Sequence, residues 1–159
     1  MDFRNITNTI NEYTEQTFGV VADCGLDFAF YPDACVGEPD VTYSLIVTER
    51  FDRLYSKFIE EKFGVVVPVF LISLLHEVGH YFTNDYWTNT EQRYFAKQKE
   101  LLNPEDDTDT LIYYQIPDEY NATKWAIEYI QEHPQEIEEF WNKVRAQIEN
   151  FYKENGYEI

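Results

Sequence analysis

Pro68-Val69-Phe70-Leu71-Ile72-Ser73-Leu74-Leu75-His76-Glu77-Val78-Gly79-His80-Tyr81-Phe82 is the stretch on which the reading of this chain turns. Before His76 it is apolar nearly all round, the pattern of a helix that runs through a core. Pro68 suits its first turn. Yet His76, Glu77 and His80 sit at the far end. Burying such groups unpaired is costly, so something has to compensate them.

The spacing indicates what. Residues four apart share a helix face, with Cβ atoms ~5–6 Å apart. Two imidazoles so placed can converge on one cation, with bonds of ~2.0–2.1 Å. Glu77, one step along, points beside the ion and suits a general base acting on water. Gly79 removes a side chain where another element can approach closely. A catalytic zinc also needs a third protein ligand and an open position. The metzincin pattern would place that ligand at Tyr86 and a glycine at Thr83, and Asp85 is one residue out of register. The third ligand is therefore expected elsewhere.

Residues 116–126 supply it. Pro117 starts a helix on which Glu119, Ala122, Trp125 and Ala126 share a face. A ligand followed by a small residue lets this helix pack ~8–10 Å from the motif helix, with Ala122 opposite Gly79. Asp118 is the competing candidate, although its position also suits a helix cap. Glu119, in turn, also suits compensation of the helix dipole.

His76-Glu77-Val78-Gly79-His80-Tyr81-Phe82, followed by Glu119, Ala122, Trp125 and Ala126, resembles the ImmA/IrrE-like metallopeptidases. These are small gluzincin-type proteins of bacteria, phages and mobile elements. The resemblance covers about residues 40–130, with its specific signal in these two helices. It implies a zincin-like core of a small sheet, a motif helix and a glutamate helix. It also implies Zn2+ held by His76, His80 and Glu119, Glu77 as base, and a repressor or other regulator as substrate. No helix-turn-helix and no sensor domain of the longer relatives is visible.

Around this centre the chain reads as α+β, one domain over residues 1–159. Helices are expected at 3–17, 49–63, 68–82, 89–102, 118–132 and 135–153. Thr48 caps the second of these and Gly64 closes it. Short strands are expected at 27–31 and 41–47, the latter a possible edge for an extended substrate, by family analogy. Residues 104–110 read as an acidic loop and 111–116 as extended. The acids Asp106, Asp107 and Asp109 do not make an EF-hand, because a loop from Asp107 puts Leu111 at a ligand position and lacks the central glycine. Tyr113, Tyr114, Tyr120 and His133 are candidates for stabilising an oxyanion.

The charge balance narrows the partners. Twelve Lys and Arg against 30 Asp and Glu give a net charge of −18. That disfavours nucleic acid and anionic membrane surfaces, which need a cationic face. Residues 64–75 form the longest apolar run, too short to span a bilayer and broken by Pro68 and Ser73. With no signal-peptide pattern, the expected setting is the cytoplasm, with Cys24 and Cys35 as free thiols. The expected function is a zinc metalloendopeptidase acting on a protein or peptide substrate. The alternative is a non-catalytic metal-binding protein, or an acidic interaction protein that mimics nucleic acid.

Overall fold

The computed structural model describes residues 4–25 and 40–156. In chain order these hold α1 (Arg4–Phe18), β1 (Val21–Gly25), β2 (Asp40–Ser44), α2 (Glu49–Phe63) and α3 (Val69–Thr83). A single 3-10 turn (Asn84–Tyr86) follows, then α4 (Asn89–Glu100), α5 (Asp107–Gln115), α6 (Pro117–Glu132) and α7 (Pro134–Glu154). The composition is mostly helical with a small sheet, as expected for α+β. The strand expected at 27–31 and the Cys35 thiol lie outside the described residues. Among those residues no helix is long and apolar enough to cross a membrane. The chain divides into two compact units, residues 1–46 with 130–159, and residues 47–129.

The first unit is built on α1, the sheet and α7. β1 and β2 pair in parallel, with Val21 opposite Asp40 and Cys24 opposite Tyr43. Ile6 and Ile10 form the buried stripe of α1, and Ile137, Phe140, Val144, Ile148 and Phe151 that of α7. Tyr13 joins the two stripes: its ring stacks on Phe140 at 3.9 Å and its hydroxyl donates to Glu136 Oε2 at 3.1 Å. Asn11 accepts the Ala22 amide at 3.0 Å, and the Tyr152 hydroxyl donates to the Leu45 carbonyl at 2.7 Å. Each fixes a strand-side backbone group that would otherwise be buried unpaired. Cys24 is half-buried, and burial pushes its thiol pKa up.

The second unit is a helical layer around α3. Residues Val69 to Leu75 are buried except Ser73, as an apolar helix requires. Leu54, Tyr55, Phe58 and Ile59 form the inner face of α2. The ends of α2 fall where the sequence put them. Thr48 Oγ1 accepts the Phe51 amide at 3.2 Å, and Gly64 takes the left-handed conformation (φ 68°) that closes the helix. Thr48→Ala is expected to cost ~1 kcal/mol, read as a lower denaturation midpoint at unchanged slope. Thr48→Ser should leave the midpoint in place.

One expectation is corrected. Residues 107–115 are helical, not an acidic loop followed by an extended segment. Asp106 caps the helix by accepting the Asp109 amide at 2.9 Å, and Asp107 pairs with Arg50 of α2 at 3.0 Å. The acids are therefore the N-terminus of α5, where negative charge favours a helix. That cap and pairing outweigh the β-leaning composition of 111–116.

Candidate metal centre

The two histidines of α3 meet one carboxylate of α6. His76 Nε2 lies 2.9 Å from Glu119 Oε2, and His80 Nε2 lies 2.8 Å from the same oxygen. Their rings stand at 89° to each other with centroids 4.6 Å apart. One ligand atom from each of the three residues falls within 4.8 Å of the others, so the group could hold a metal ion. Around a tetrahedral ion with bonds of ~2.0–2.1 Å, donor atoms sit ~3.3 Å apart. Opening the two histidine–carboxylate contacts by a few tenths of an ångström brings them to that spacing.

The close approach of the helices comes from Gly79 and Ala122. A Cβ built on Gly79 would lie 2.6 Å from the Ala122 carbonyl oxygen and 3.2 Å from its Cα. No residue but glycine fits there, and the crossing expected from sequence is the one observed. Phe82 stacks on Trp125 at 5.2 Å beyond the crossing. The two helices are thus held on both sides of the contact that brings Glu119 to the histidines.

The far side of His76 is held by hydroxyls. Its Nδ1 lies 2.8 Å from Thr123 Oγ1 and 3.1 Å from the Tyr55 hydroxyl, and these two oxygens are 2.7 Å apart. A proton on Nδ1 donated to this pair leaves the Nε2 lone pair for a cation, the usual arrangement behind a ligating histidine. Neither Tyr55 nor Thr123 was expected from sequence. Thr123 stands one helical turn after Glu119, which is a readable spacing, but Tyr55 reads as one more aromatic of the α2 stripe.

The outer oxygen of Glu119 is held separately. Oε1 accepts from the Tyr113 hydroxyl at 2.9 Å and from Lys99 Nζ at 3.1 Å. Lys99 also donates to Asp118 Oδ2 at 2.7 Å, and Asp118 Oδ1 accepts the Glu119 amide at 2.9 Å. Asp118 is thus occupied by a lysine and a helix start, and Glu119 is the acid that faces the imidazoles.

Electrostatics follow from this packing. Burial by itself would raise the Glu119 pKa, but hydrogen bonds from His76 and His80 hold it well below the usual carboxylate range. Burial works against a charge on His80, yet its contact with Glu119 leaves its pKa raised. Burial pushes the Glu77 pKa up, with the two histidines opposing. A raised carboxyl pKa is the direction that suits a base working near neutral pH.

Glu77 lines the same cavity, a cleft of about 220 Å³ with Phe51, Tyr55, Ser73, Tyr113 and Tyr114 in its walls. Of the sequence candidates for an oxyanion donor, Tyr113 and Tyr114 line it, and burial pushes the Tyr114 hydroxyl up to about 12. Tyr120 instead packs on Phe63 at 5.3 Å. His133 precedes α7 in the other unit. The 3-10 turn carries Asp85 exposed to solvent. No family model, curated protein or solved structure matches this chain.

Proposed function

We propose that this protein is a zinc-dependent metalloendopeptidase acting on a protein substrate, a regulator or repressor being the expected kind. What carries the reading is the convergence of His76, His80 and Glu119 on one point beside a cleft that Glu77 also lines. Two imidazoles and a carboxylate are a donor set that suits zinc. The resemblance of residues 76–82 and 119–126 to the ImmA/IrrE-like metallopeptidases supports the same activity. On this reading α3 is the motif helix and α6 the glutamate helix of a zincin-like core, and the activity belongs to the cytoplasm.

Zinc bound by these three side chains would supply Lewis acidity, enough to bring the pKa of a water to ~7. Glu77 accepts the proton of the attacking water and returns it to the leaving amine. Tyr55 and Thr123 keep the His76 ring in the orientation that presents Nε2. Tyr113 and Tyr114 both line the cleft, and the Tyr113 hydroxyl, which donates to Glu119 Oε1, would have to leave that bond to serve a developing oxyanion. Phe51, Tyr55 and Tyr114 give that cleft an aromatic lining suited to an apolar substrate side chain.

The net charge of −18 favours a second reading, an acidic protein that occupies the basic surface of a nucleic-acid-binding partner. The two separate cleanly. The purified protein is expected to carry about one zinc per chain by elemental mass spectrometry, and His76→Ala to carry almost none. A peptide-library digest should show cleavage that stops with chelator and returns with zinc. Equal zinc in wild type and His76→Ala, or cleavage indifferent to chelator, overturns the peptidase reading. Binding to a basic partner that weakens steeply with salt and ignores chelator favours the second.

A further inference from the structure

The two oxygens of Glu119 have different surroundings. Oε2 faces His76 and His80, whereas Oε1 is turned to Lys99 and Tyr113. Lys99 comes from the last turn of α4, a helix whose one buried residue is Phe95. Its side chain is nonetheless only 24% exposed, and its Nζ is pinned between Asp118 and Glu119. Lys99 is not among the residues that line the cleft. It reaches the carboxylate from behind.

This matters because a carboxylate can give a metal one oxygen or two. Two imidazoles and a two-oxygen carboxylate already supply four donors, so a water could join only as a fifth ligand, whereas a one-oxygen carboxylate leaves one of four tetrahedral positions open. An oxygen already engaged by an ammonium and a phenol is not free to swing inward. Charge-assisted hydrogen bonds are among the stronger ones, and the Lys99 ammonium also offsets negative charge from Asp118 and Glu119.

Resting on the metal-site reading above, we propose that Lys99 is a positioning residue of the centre. It holds Oε1 so that Glu119 ligates through Oε2 alone, and it thereby keeps one coordination position open for water or substrate. Tyr113 shares the oxygen, its hydroxyl donating to Oε1 at 2.9 Å.

The test uses Co2+ as the metal, titrated into the full-length protein and followed by its visible absorption and by calorimetry. Wild type should give the intense bands of a four-coordinate ion. Lys99→Met should give the weaker bands of a five-coordinate ion and bind Co2+ ~10–100-fold more weakly, the usual effect of losing a partner behind a ligand. Lys99→Arg, which keeps the charge and the donors, should restore the wild-type spectrum. A merely structural lysine would lower the melting temperature of Lys99→Met and leave the bands unchanged. Lys99→Gln is read in the same way should Lys99→Met fail to fold. A Lys99→Met or Lys99→Gln spectrum and affinity matching wild type overturn the role of Lys99 alone. Failure of wild type to bind Co2+ overturns the metal site and this role together.

Discussion

Glu77→Gln is expected to keep wild-type zinc content and lose peptide hydrolysis by ~10²–10⁴-fold, the usual worth of a general base. The argument is geometric first. The three donors that converge are His76, His80 and Glu119, and Glu77 is not one of them. It lines the cleft instead, where an attacking water would stand. Glutamine has the same shape and cannot accept the proton, so the ligand set and the fold stay while the chemistry stops. Zinc content by elemental analysis and kcat/KM on a cleaved peptide read the two parts separately. Full activity would remove Glu77 from the mechanism, and loss of zinc would make it a ligand.

Gly79→Ala is expected to destabilise the protein by ~1–3 kcal/mol and to weaken zinc binding at the same time. Alanine in mid-helix is ordinarily favoured over glycine by ~0.8–1.0 kcal/mol, so the intrinsic preference points the other way. Packing decides the sign here. The new methyl would sit 2.6 Å from the Ala122 carbonyl oxygen, a backbone atom that cannot rotate aside. α6 would have to back away, and Glu119, three residues before Ala122, would go with it. A thermal melt and a zinc titration check this. A variant as stable as wild type, with the same zinc affinity, would mean the helices do not touch at Gly79.

What was legible in the sequence is what is local or periodic. Thr48 and Gly64 bound α2 because caps act within one turn. His76, Glu77 and His80 could be placed by helical spacing, and Glu119 by the small residue one turn after it. α5 was not legible, because Leu111 to Ile116 has the composition of a strand and its helix depends on Asp106 and on Arg50, which lies far away in sequence. β1 escaped notice because a five-residue strand in a parallel pair depends on a distant partner. Lys99, Tyr55 and Thr123 carry no motif. Each serves the candidate site only through the distance at which folding sets it.

α6 touches both nitrogens of a single ring. Glu119 meets His76 at Nε2 and Thr123, one turn later, meets it at Nδ1. The imidazole is gripped as in a vice whose two jaws belong to one rigid rod. Sliding or twisting of that rod against α3 releases both jaws together. Cation release and separation of the helix pair should therefore be one cooperative event, with heat-induced loss of zinc and loss of helical signal coinciding on one curve.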